Sequence, residues 1–468
     1  MKWPSTLVLI LLLAAVAPAQ GPGVRTVRAG NFEALTVSLP GTLVSAAGVT
    51  GPGGRPGAAL LLAARRDGKG PKILLFLDEE RRALVRLAAG LHEEVNVVTA
   101  FDLAGSGAAV PVAGMPGALF TPAGGGEVRQ VLGEPNVDLR SVAGDVAGRP
   151  WIPAARAGLL ELLGSAAPGG ALGRRASFPL PVKAERPRWG LRLTSPPVTL
   201  LPGDPPLFAA GPEPAGRRRL HTLLLPADGG PLVEAWSLLP ADERLMDDRR
   251  YLRMDGAPAL AATTFERIGV LAKKRFRLFL LGRDRSRKGS APALAVETDC
   301  PLWYPLDAAA ADADGDGRQD LVLAHPGGLR GRELLVAAYR GLGGGRFAPR
   351  PRRWKLNDEA TDWLYGPDFT GDGAPDLLVF VRDRLLLYPG DLKGSRPLAG
   401  RPLWSFPVAG APKKEQQRDR EEFDNDEAAG PVRERYLQIL TLPGGGRIVL
   451  ARGAQQDGKS VLTVVSRK

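Results

Sequence analysis

With a single cysteine, Cys300, the 468-residue chain can form no internal disulfide, so its stability must come from a packed core, from closure of the fold or from bound metal. Histidine is scarce too. His92, His221 and His325 are dispersed and read as surface or strand-end residues rather than as metal ligands or proton carriers. No G-x-S-x-G elbow, no H-E-x-x-H pair and no glycine-rich phosphate loop ending in Lys-Ser/Thr occurs, which leaves the common hydrolase, zinc-protease and nucleotide-binding signatures without support. Beyond the first nineteen residues no apolar run approaches the roughly 20 residues that a membrane helix needs. The net charge of +12 is not interleaved with aromatics in a way that would stack bases, so nucleic acid is not an expected partner. Arginine, alanine, glycine and proline are enriched together, as a bias in base composition would produce.

The first nineteen residues read as an export leader. Lys2 gives the positive start, Leu7 to Val16 the apolar core, and Ala17-Pro18-Ala19 the small-residue cleavage site before Gln20. The expected location is the bacterial periplasm, the cell surface or the exterior. The 59 glycines and 43 prolines are spread along the chain, which favours many short strands and frequent turns over long helices. The expected fold class is all-β.

The most informative stretch is Asp312-Ala313-Asp314-Gly315-Asp316-Gly317-Arg318-Gln319-Asp320, followed by the apolar run Leu321 to Ala324. Four carboxylates at positions 1, 3, 5 and 9 of a glycine-containing turn, with a main-chain carbonyl near position 7, suit a hard cation such as calcium. An EF-hand requires a glutamate at position 12, where Leu323 stands, and the flanks read as strands. The alternative is an aspartate-rich turn that caps its own backbone without metal.

A second copy lies 56 residues on, Asp368-Phe369-Thr370-Gly371-Asp372-Gly373-Ala374-Pro375-Asp376 before Leu377 to Phe380, with Thr370 replacing the second aspartate. Eroded copies precede or follow at Val49–Gly57, Asp102–Gly107, Asp145–Pro150, Gly203–Phe208, Asp255–Leu260 and Leu442–Arg447, giving eight candidate units. In the clearest unit four strands succeed one another, at Trp363–Tyr365, Leu377–Val381, Leu385–Tyr388 and Leu403–Phe406. A repeated four-stranded sheet of this period predicts the blades of a β-propeller. The run Ala34 to Leu39 is expected to pair with Ser460 to Val465 and close the ring with strands from both ends of the chain. Residues 20–468 are expected to form one propeller domain, and residues 411–435, carrying the charged run Lys413 to Glu422, a solvated insertion.

The two acidic loops, together with the hairpin-like Gly341-Leu342-Gly343-Gly344-Gly345-Arg346-Phe347, resemble the calcium loops of FG-GAP/VCBS repeats, the units of integrin-α-type β-propellers. The specific part of the resemblance covers about residues 300 to 410. It implies antiparallel blades, seven being usual against the eight counted, and Ca²⁺ held by Asp312, Asp314, Asp316, Asp320 and the Arg318 carbonyl. A second Ca²⁺ would take Asp368, Thr370, Asp372, Asp376 and the Ala374 carbonyl. The expected function is that of an exported, calcium-stabilised module, monomeric and non-enzymatic, which binds an extracellular or envelope protein or glycan. The alternatives are an extracellular polysaccharide lyase or hydrolase acting on an anionic glycan, and a purely structural surface protein. Cys300 is expected to be a passive thiol. Trp303, Trp354, Trp363 and Trp404 recur at corresponding points, where packing between blades explains them more simply than sugar stacking does.

Overall fold

A computed structural model describes residues 25–65, 70–103, 108–115, 118–133, 306–328, 332–408, 436–453 and 460–467, together with the individual strands between 145 and 300 and Asp255. The leader at 1–19 and the charged segment at 411–435 lie outside the described residues, as do Trp303 and the loop part of the Gly203 copy. Among the described residues no α-helix occurs, and no helix is long and apolar enough to cross a membrane.

Among the described residues, eight antiparallel sheets of three to five strands follow one another along the chain, with two small hairpins besides. The sheet that carries the second acidic loop has four strands, Ala360–Tyr365, Leu377–Val381, Arg384–Tyr388 and Trp404–Pro407, each paired to the next. The first acidic loop belongs to the sheet Asp307–Ala311, Asp320–Gly327, Glu333–Tyr339 and Arg352–Leu356. Both loops join the first strand of their sheet to the second. The copies at 49–57, 102–107 and 203–208 occupy the same junction in their own sheets, while the copy at 255–260 joins Arg250–Met254 to Ala257–Ile268 and the copy at 442–447 joins Leu437–Thr441 to Arg447–Arg452. The copy at 145–150 differs: Asp145–Val146 pairs with Arg149–Pro150 in a hairpin of its own ahead of the strand Ile152–Arg156.

The apolar run after each loop is explained by what flanks it. In an extended strand successive side chains point to opposite faces. Leu378 and Phe380 pack in one cluster with Val449, Ala451 and Val465 of the sheet that contains the chain's last strand, while Leu377, Val379 and Val381 pack with Val322, Val336 and Trp354 of the preceding sheet. The second strand is therefore buried on both faces, and it reads as a continuous hydrophobic run instead of an alternating one. The same division holds for Leu321 and Leu323 against Val322 and Ala324, and for Leu60 and Leu62 against Ala59 and Leu61. Six sheets are linked face to face in this way, from the one containing Leu278 through the two acidic-loop sheets and the terminal sheet to the one containing Val98.

The terminal sheet joins the two ends of the chain. Phe32–Leu39 pairs antiparallel with Ser460–Arg467 over eight residue pairs, from Phe32↔Arg467 to Leu39↔Ser460. An additional strand, Arg25–Ala29, pairs outside it, so the N-terminal segment supplies two strands and not one. This succession of antiparallel sheets packed face to face is that of a β-propeller. Trp354, Trp363 and Trp404 lie buried in the clusters between sheets, where packing accounts for them.

Candidate metal centre in the acidic loops

Each loop is a nine-residue turn whose glycines adopt left-handed backbone angles, with φ of 75° and 81° at Gly315 and Gly317 and of 74° and 87° at Gly371 and Gly373. A side chain would strain that backbone, which is why glycine alternates with aspartate here. The first aspartate folds the turn around itself. Asp312 accepts the N–H groups of Gly315 at 2.7 Å, Asp316 at 3.1 Å and Gly317 at 2.9 Å. Asp368 likewise accepts those of Gly371 and, at 3.0 Å, Gly373.

The last aspartate is the structural anchor. Asp320 is buried and accepts the N–H of Ala313 at 3.1 Å and that of Gly341 at 2.7 Å, which ties the loop to the chain just beyond the third strand. Asp376 is fully buried and does the same with Phe369 at 2.7 Å, Thr370 at 2.8 Å and Gly390 at 3.0 Å. Gly341 and Gly390 are thus equivalent donors. A Cβ on Gly341 would strike the Gln319 carbonyl, and one on Gly390 would strike Ala374 and the Pro375 carbonyl, so only glycine permits the approach. The signal in the sequence is a repeated Tyr-x-Gly, at Tyr339-Arg340-Gly341 and Tyr388-Pro389-Gly390.

One oxygen from each of Asp312, Asp314 and Asp320 lies within 4.8 Å of the others, a spacing that one cation coordinated at about 2.3–2.6 Å can bridge. Asp316, at position 5, is directed elsewhere: its Oδ2 is 2.9 Å from Nη2 of Arg340, and its Oδ1 accepts the Arg318 N–H at 3.0 Å. In the second loop the Thr370 hydroxyl stands between Asp368 Oδ1 at 3.3 Å and Asp376 Oδ1 at 3.5 Å, and Asp372 accepts the Ala374 N–H at 2.8 Å. The all-oxygen donor set of both loops fits a hard cation.

Charge is unevenly compensated. Burial pushes the Asp320 carboxyl up to about 6, aided by the charge of Asp314 and opposed by the Gly341 and Ala313 N–H groups and by Arg352. Burial likewise raises Asp376. Asp316 moves the other way, held low chiefly by the hydrogen bond from Arg340. The hydroxyl of Tyr365 is buried without a hydrogen-bond partner, and its pKa is pushed up by desolvation, with smaller contributions from both Asp320 and Asp376. Arg352 donates to the Ala313 carbonyl and, at 3.2 Å, to that of Gly394, connecting the first loop to the second acidic-loop sheet.

The eroded copies keep some of this geometry without the ligands. Asp255, the carboxylate left in its copy, accepts the Gln319 N–H at 2.9 Å and so braces the neighbouring acidic loop. Beside the second loop, a cavity of about 370 Å³ opens between its sheet and the terminal sheet, lined in part by Asp368, Phe369, Trp404, Arg447 and Arg467.

The fold and these loops define a β-propeller that carries acidic loop repeats. Residues 312–379 match the FG-GAP-like repeat family, which spans the first acidic loop, the second and the strand after it. Among solved structures, the Dos1 propeller is similar over 92% of this chain and 93% of its own, at 10% identity and a TM-score of 0.50. Sqt1 from Chaetomium thermophilum is similar over 92% of this chain and 97% of its own, at 10% identity and a TM-score of 0.46. At this identity the first of these speaks for the fold alone. No curated protein matches the chain in sequence.

Proposed function

We propose that the chain is an exported, calcium-stabilised β-propeller whose loop-bearing end binds a protein or glycan, without catalysis. The observation that carries this reading is the convergence of Asp312, Asp314 and Asp320 within 4.8 Å inside a segment that matches the FG-GAP-like repeat. Asp312, Asp314, Asp320 and the Arg318 carbonyl would hold one Ca²⁺, with Asp316 as a further ligand. Asp368, Thr370, Asp372, Asp376 and the Ala374 carbonyl would hold a second. Export is inferred from the leader-like first nineteen residues.

The cation would act by preorganisation. An ion that ties several loop oxygens together lowers the ordering cost of the surface beside it, so a partner meets a loop already fixed. The groove of about 370 Å³ next to Asp368 places Arg447 and Arg467 beside that loop, and it is the surface at which an anionic group of a glycan or protein would be received. A glycan array and a panel of envelope proteins, screened with calcium and with EGTA, test the proposal. Binding that requires calcium and is weakened by Arg447→Ala supports it. Turnover of a polysaccharide would replace it with the enzymatic reading.

A further inference from the structure

Resting on the calcium reading above, we infer that Arg340 is a tethered counter-cation that competes with a divalent ion for the first acidic loop and withholds Asp316 from its ligand set. Arg340 directly follows the strand Glu333–Tyr339, whose end lies beside the loop because Tyr339 pairs with Leu321. Its Nε is 3.0 Å from Asp314 Oδ2, and its Nη2 is 2.9 Å from Asp316 Oδ2. With Oδ1 of Asp316 engaged by the Arg318 N–H, both oxygens of that carboxylate are committed. Asp314 is shared between the guanidinium and the oxygen cluster it forms with Asp312 and Asp320.

The position is specific to one loop. The second unit has Pro389 where the first has Arg340, between a tyrosine that pairs with the second strand and the glycine that anchors the last aspartate. Among the described residues no arginine or lysine forms an ion pair with Asp368, Asp372 or Asp376. The first loop therefore has a guanidinium paired with its own carboxylates, whereas beside the second Arg467 lies against Gly371 without such a pair. A divalent ion seated among Asp312, Asp314 and Asp320 would face the guanidinium across one carboxylate. Like charges at that range repel, and Arg340, half exposed, must swing into solvent before Asp316 can turn inward.

The test isolates the first loop by placing Asp368→Asn and Asp372→Asn in the full chain and titrating it with CaCl₂ by calorimetry. Arg340→Gln should tighten binding about tenfold, and Arg340→Lys, which keeps the charge, should not. Asp316→Asn should cost little affinity when Arg340 is present and about tenfold in the Arg340→Gln chain, a non-additivity that a merely structural arginine would not produce. Equal affinity with and without the Arg340→Gln substitution, or the same cost of Asp316→Asn in both backgrounds, overturns the inference while leaving calcium binding intact. Absence of calcium binding in every variant, each shown to be folded by circular dichroism, overturns the calcium reading and this inference with it.

Discussion

The carboxylate of Asp362 accepts the main-chain N–H of Tyr436 at 2.7 Å, across 74 residues of sequence. The same oxygen takes the N–H of Leu437 at 2.7 Å, and the other oxygen that of Trp363 at 2.9 Å. Asp362 lies in the first strand of the second acidic-loop sheet, and Tyr436 and Leu437 open the terminal sheet, so one buried aspartate fastens two neighbouring sheets at their inner strands. The chain between them includes the charged segment at 411–435, in which Phe423 and Val432 are the only large apolar residues.

Asp362→Ala should therefore destabilise the protein strongly. It leaves the buried N–H groups of Tyr436 and Leu437 without this acceptor, at about 1–3 kcal/mol each. A loss of about 3 kcal/mol or more is expected in urea unfolding, with Asp362→Asn intermediate because its carbonyl still accepts. A loss below about 0.5 kcal/mol would contradict the fastening role.

Gly341→Ala and Gly390→Ala should each cost about 1–3 kcal/mol, since the added methyl meets loop backbone and not a side chain able to move. The distinguishing result is in the loops: both substitutions should also weaken calcium binding at the loop whose last aspartate they displace. A stability loss without any change in calcium affinity would separate the anchor from the site.

His325 sets a pH dependence of its own. Burial lowers its pKa from the ordinary 6.5, with the charge of Lys274 adding to the fall and the 2.7 Å contact with the Pro326 carbonyl, to which Nδ1–H donates, opposing it. Below pH 6.5 the unfolded chain takes up a proton that the folded one resists, so stability falls as pH drops from 6.5 toward the lowered value and is level above it. Urea midpoints measured between pH 7.5 and 5.5 should show this slope in the native chain and a shallower one in His325→Gln.

Phe380→Ala opens a cavity where two sheets meet, since Phe380 is fully buried and stacks edge-on against Tyr436 with ring centroids 6.2 Å apart. A loss of about 3–5 kcal/mol is expected.

The sheets that are legible in the sequence are those whose signal is local. A glycine turn followed by an apolar run marks the strand Leu377–Val381 because both halves of the pattern sit side by side in the chain and both faces of the strand need burial. The pairing of Phe32–Leu39 with the last strand is legible for a similar reason, as a repeat left one strand short. What stays hidden depends on long range. Asp362 looks like an ordinary polar residue because its partners lie beyond a charged segment, and Arg340 is separated from Asp316 by 24 residues. The copy at Asp145–Pro150 misleads because its turn closes a hairpin of its own before the first strand of its sheet, Ile152–Arg156, instead of joining the first strand to the second. Asp255 reads as part of an eroded copy, and its acceptance of the Gln319 N–H in the next loop is another contact the sequence does not show.

The most direct measurement is the melting temperature of the full chain in excess calcium and in EGTA, compared with the chain carrying Asp312→Asn and Asp368→Asn. At a hundredfold excess over the dissociation constant, one bound ion adds about 2.7 kcal/mol, so calcium should raise the melting temperature of the native chain by several degrees and leave the doubly substituted chain nearly unmoved. A native chain that melts at the same temperature in calcium and in EGTA would contradict the account.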